Sequence, residues 1–179
     1  MKRAFMLAAV AAIALPAASV RAQAPTHVGV AGCGPCHKTE KSGNQIGVWE
    51  KTQHAQAFTT LTTPKAVEVA TAKGITTPPS ETAQCLECHT ITAPAAAGSK
   101  LDAKQGVQCE NCHGAGSAYK GLSVMKDHAK SVAAGLKDYP DKAAMEAQCK
   151  TCHNEKSPTM KAFNFEEQFA KIAHPTPKP

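Results

Sequence analysis

Apolar residues are concentrated at the start of the chain. Lys2 and Arg3 lead into an alanine-rich run from Ala4 to Val20, broken by Pro16, which closes on the small-x-small sequence Ala22-Gln23-Ala24. This is the pattern of a secretory signal segment over residues 1–24, with the mature chain starting near Pro25. The run is too short and too interrupted to read as a membrane-spanning helix, and no later segment is long and apolar enough to be one. Beyond it the hydrophobic positions are sparse and fall into short groups. Pro25 to Gly32 reads as extended chain carrying His27. Val48 to Leu61, VWEKTQHAQAFTTL, sets Trp49, His54, Ala57 and Leu61 at helical spacing and predicts a short helix with His54 on its inward stripe. Thr63 to Lys73, with Pro64 at its start and Gly74 after its end, predicts a polar surface helix. Pro78-Pro79 and the stretch from Pro94 to Gly98 break the chain. Short helices are expected around Ser123–Gly135, holding His128, and over Asp141–Lys150. Phe163 to Ala173 predicts an amphipathic helix with Phe165, Phe169 and Ile172 on one face, ended by His174-Pro175.

The remaining 155 or so residues suit one domain, 25–179. Composition then changes the picture, because only 4% of residues are aromatic and Ile, Leu and Phe are few. Such a chain is poorly supplied to build a core from its own side chains, so something else is expected to fill the interior. The formal charge of +6 falls to about +3 once Lys2, Arg3 and Arg21 leave with the signal segment, which is too little to argue for nucleic acid.

The cysteines identify the filler. All eight fall into CxxC pairs, Cys33/Cys36, Cys85/Cys88, Cys109/Cys112 and Cys149/Cys152, and each pair is followed at once by a histidine: His37, His89, His113 and His153. Four-thiolate zinc would use the same pair spacing, and disulfides would use the same thiols, but neither explains a histidine after every pair. A covalent haem c does: two thiols form thioethers with its vinyl groups, and the adjacent imidazole takes the iron as proximal ligand. Four haem c groups then supply the missing apolar surface. Their eight propionates, set against four ferric centres, bring the net charge to about −1.

The sixth ligand of each iron separates electron transfer from catalysis. Four histidines remain for four irons: His27, His54, His128 and His174. Met125, Met145 and Met160 compete less well, a gap-filling role being commoner for methionine. Two imidazoles per iron close the coordination sphere and favour low-spin, low-potential haems that pass electrons. The motifs start 52, 24 and 40 residues apart, so Cys85 and Cys109 belong to a close middle pair with little protein between their haems. In GVQCENCHGAG, Gly106, Gly114 and Gly116 suit tight turning and the approach of a second porphyrin edge.

Three stretches carry a family resemblance: W-x-x-T-x-H-A-x-A-F from Trp49 to Phe58, G-V-x-C-E-x-C-H-G-x-G from Gly106 to Gly116, and FNFEE near the end. On these the mature chain resembles, over nearly its whole length, tetrahaem cytochromes of the cytochrome c-554 type. The resemblance implies a mainly α fold of short helices and long loops wrapped around four covalently attached haems. It further implies pairing of His37 with His128, His113 with His54 and His153 with His174, and a five-coordinate iron above His89. His27 departs from the family pattern. It has three destinations: the His89 iron, an iron in a neighbouring subunit, which would mean self-association, or none. The function expected is an exported electron carrier, periplasmic or secreted, with protein donor and acceptor and no catalytic residue. Two alternatives stand beside it, a subunit of an extracellular conductive filament and a reductase of a small nitrogen oxide at an open His89 haem. None of the motifs reads CxxCK.

Overall fold

Side-chain caps set where most of the helices begin. In the computed structural model, which describes residues 24–176, ten α-helices follow one another: α1 Val30–His37, α2 Gln45–Trp49, α3 Ala57–Thr60, α4 Pro64–Ala72, α5 Ala83–His89, α6 Cys109–His113, α7 Leu122–Met125, α8 His128–Ala133, α9 Lys142–Cys149 and α10 Phe165–Ala170. Thr63, Asp127, Asp141 and Asn164 each lie one residue before a helix, and each side chain accepts a bond from a backbone N–H in the first turn. Thr63 does so from the Ala66 N–H at 3.3 Å, with Pro64 at the first helical position where no donor is needed. Replacing Thr63 by Ala is expected to cost about 1 kcal/mol in chemical denaturation, with no change in visible absorption, since α4 carries no histidine or cysteine.

Among the described residues there is no strand, only an isolated parallel bridge between His27 and Ala95. The fold is therefore mainly α, as expected, although the signal segment lies almost wholly outside the described residues. Among these residues no helix is long and apolar enough to cross a membrane.

Two expectations need correction. The helix expected over 48–61 is broken into α2 and α3, and His54 sits in the turn between them. The reason is tertiary: the Trp49 indole N–H donates to Val107 O at 2.7 Å, and the Val107 N–H donates to His54 O at 2.9 Å, so the third motif's leading residues hold this turn. The buried Thr52 hydroxyl returns to Trp49 O at 2.8 Å, which further competes with helical bonding. The extended arm is also shorter than expected, because α1 already starts at Val30.

The arm still docks across the molecule. Thr26 and Ser117 exchange two bonds, the His27 N–H donates to Pro94 O, and the Ala96 N–H donates to His27 O at 2.7 Å. The hydrophobic core is small: among the described residues only Val28, Val30, Ile46, Leu61, Ala70, Ile91, Tyr119 and Phe165 are buried. Eight such residues are a thin core for a chain of this length, in line with an interior completed by a prosthetic group.

Candidate haem-binding sites

The third motif is held by its own polar side chains. Gln108, 2% exposed, caps α6 in a reciprocal arrangement with Asn111, whose Oδ1 accepts from the Gln108 N–H at 2.7 Å. The Asn111 amide donates in turn to Thr90 O, fastening the chain just after the second motif to the third. Glu110, also 2% exposed, is the central acceptor. Its carboxylate takes the N–H groups of Val28 (2.9 and 3.1 Å), Gly29 (2.8 Å) and Gly116 (2.7 Å), which locks the N-terminal arm onto α6. The Tyr119 hydroxyl donates to Gly114 O, and the Tyr139 hydroxyl to Cys112 O. Gly106 and Gly114 have φ of +76° and +80°, the left-handed region that favours glycine. What a side chain would strike at these two positions is backbone, His54 O and Gly135 O respectively.

The first three motifs lie on α1, α5 and α6, where the i, i+3, i+4 spacing puts both thiols and the imidazole on one helical face. In the fourth, Cys149 ends α9 and Cys152 and His153 continue in a turn. No two of the eight cysteines are joined by a disulfide. Their neighbours do not follow sequence order. Cys33 is hydrogen-bonded to Cys109; that bond, with burial, pushes the Cys33 thiol up, and Cys109 as its acceptor goes down. Burial and then contact with Cys152 push Cys88 to about 12. Cys112 is pushed to about 11, mostly by burial, with Cys149 and Cys152 adding to it. The first motif's thiols thus influence the third's and the second motif's the fourth's, while the Asn111–Thr90 bond and the cleft at His27 join the second motif to the third.

The histidines sort into two groups. His54 and His153 face each other with ring centroids 6.1 Å apart, and His113 and His174 with centroids 5.9 Å apart. The facing rings thus differ from the pairing on iron that the family resemblance implies, His113 with His54 and His153 with His174. Burial lowers the affinity of His54, His113 and His153 for a proton, and the facing ring adds to this at His54 and His113, which keeps the neutral, ligating form. His153 is also stacked on Phe163 at 4.8 Å. The other two motif histidines are anchored through Nδ1, His89 to Ala57 O at 2.7 Å and His37 to Gln45 Oε1 at 3.2 Å. His128, at the start of α8, has 69% of its side chain exposed and Nε2 3.5 Å from Asp138 Oδ1. His27 lines an open cleft of about 330 Å³ together with Glu87, Thr90, Ile91, Asn111 and Lys137, and its Nδ1 is buried without a hydrogen-bond partner.

Residues 32–114 match the family model described as cytochrome c554 and c-prime. Over that span the chain is similar to the cytochrome c554 family. The match takes in the first three motifs and His54 and is shorter than the resemblance to nearly the whole mature chain. The chain matches no curated protein and no solved structure. The likeness points to covalently bound haem c and an electron-transfer role with protein redox partners, and the residues of this chain fit that group on structural grounds. Two imidazoles bound to opposite sides of one iron, each nitrogen about 2 Å from the metal, set their ring centroids roughly 6 Å apart, as in His54/His153 and His113/His174. An imidazole held at Nδ1 by a carbonyl keeps Nε2 for the metal, as at His89. Among the described residues no three His, Cys, Asp or Glu side chains converge as a zinc site requires.

Sequence reading missed the supporting residues. Glu110 stands inside the quoted motif and was available as a signal; Gln45, Tyr119 and Tyr139 lie outside any motif and had none.

Proposed function

We propose that this chain is an exported tetrahaem electron carrier, periplasmic or secreted, working between a protein donor and a protein acceptor. The observation that carries the reading is the two pairs of facing histidines, at 6.1 and 5.9 Å. In this reading Cys33 and Cys36, Cys85 and Cys88, Cys109 and Cys112, and Cys149 and Cys152 tether one haem c each, with His37, His89, His113 and His153 as proximal ligands. His54 is the second ligand opposite His153, and His174 the second ligand opposite His113. His128 and His27 complete the His37 and His89 irons. The position of His27 beside Glu87, Thr90 and Ile91, which flank His89, supports that assignment.

When bound, the haems supply one-electron couples whose iron changes little in geometry between oxidation states. The protein's part is to close both faces with imidazoles, exclude water by burial, and bring attachment points together.

Two measurements test the proposal. The intact mass of the mature protein is expected to show cleavage near Pro25 and the increment of four haems, and electron paramagnetic resonance of the oxidised protein is expected to show low-spin ferric iron only. A count below four sinks the tetrahaem reading. A high-spin component that His27→Ala leaves unchanged would mean that His27 does not cap an iron and would favour the reductase alternative. Fibres seen by electron microscopy, and lost in His27→Ala, would favour the filament.

A further inference from the structure

Gln45, the first residue of α2, has only 9% of its surface exposed and uses every polar atom of its side chain. Its Nε2 donates to Ser42 O and, at 2.9 Å, to Pro175 O. Its Oε1 lies 3.2 Å from His37 Nδ1. Both backbone carbonyls can only accept, so the amide nitrogen has to face them and the oxygen has to face the histidine. His37 Nδ1 must then be the donor, which leaves its Nε2 unprotonated, the form a metal ligand needs. On the other side, Pro175 follows directly on His174, the residue whose ring faces His113. Pro175 is also packed on Gly43, where an added Cβ would come within 3.1 Å of the proline ring. One amide therefore reaches both the first motif and the far end of the chain.

We infer that Gln45 is a positioning residue for two haems at once: it fixes the tautomer of the His37 proximal ligand and straps His174 over the His113 iron. The inference rests on the haem reading above. The chemistry is asymmetric, because the oxygen of Gln45 acts on the basicity of His37 while the nitrogen acts on the presence of His174.

The asymmetry provides the test. Gln45→Leu and Gln45→Glu are made in the full chain and matured with haem, beside His174→Ala. Both Gln45 variants are expected to keep four haems by mass and to develop a high-spin ferric signal of about one haem in four, as His174→Ala does, because neither leucine nor carboxylate can donate to Pro175 O. In a spectroscopic redox titration the His37 haem is expected to move in opposite directions. Leucine removes the acceptor, weakens the imidazole as a base and raises the potential; glutamate is a stronger acceptor and lowers it. Full low-spin character in both variants overturns the strap, and shifts of the same sign overturn the tautomer role. Should both variants fail to take up haem while His174→Ala succeeds, Gln45 is a general folding residue and the inference is wrong. A wild-type protein without four haems refutes the haem reading separately.

Discussion

Glu110→Ala is expected to lose about 3 kcal/mol or more of stability in denaturant unfolding, with the N-terminal arm becoming the first site of proteolysis. The carboxylate is 2% exposed and satisfies the N–H groups of Val28, Gly29 and Gly116. Removing it strands three buried donors, each of which costs about 1–3 kcal/mol when left without a partner. Glu110→Gln retains the shape and one acceptor oxygen but turns an NH₂ group toward backbone donors, so an intermediate loss is expected. A wild-type midpoint for the alanine variant would show that the arm is held by other contacts, such as the Thr26–Ser117 exchange.

The second large effect is expected at Gly106. A Cβ at this position would lie 2.4 Å from His54 O and 3.1 Å from Ala55 O, on backbone with φ of +76°. Backbone atoms cannot move aside as a flexible side chain would, so Gly106→Ala must push the His54 turn away from the third motif. The expected cost is about 3 kcal/mol or more, combining left-handed strain of about 1–2 kcal/mol with the steric clash. On the proposed ligation, partial loss of low-spin character at the iron between His54 and His153 accompanies it. Gly74 provides the control: its φ is +73°, yet a Cβ there meets nothing within 4 Å. Gly74→Ala is expected to cost about 1 kcal/mol and to leave the spectrum unchanged. Equal effects at both positions would mean that conformation, and not contact with His54, is what Gly106 provides.

The contrast between His54 and Gln45 shows where sequence reading succeeds and where it stops. Motifs built from neighbours in sequence were legible, because CxxCH needs only one helical turn to bring its three side chains to one face. Helices opened by a capping residue, such as α4 after Thr63 and α9 after Asp141, were legible for the same local reason. The candidacy of His54 and His174 as residues for iron followed from counting imidazoles. Their partners did not, because which ring meets which depends on how the turn after Trp49 docks on Val107 and how the C-terminal segment crosses Gly43. Helical spacing over 48–61 pointed to one helix, and two tertiary bonds to Val107 overrode it. Gln45 shows no pattern in sequence, since its three contacts lie 3, 8 and 130 positions away.

That last separation bears on how the molecule is assembled. The bond from Gln45 to Pro175 spans 130 residues and the bond from Val28 to Glu110 spans 82, so both clasps are closures of very long loops, and long-range closures come slowly and late. The first motif therefore gains its final surroundings only when the segment at Pro175 has docked on Gln45.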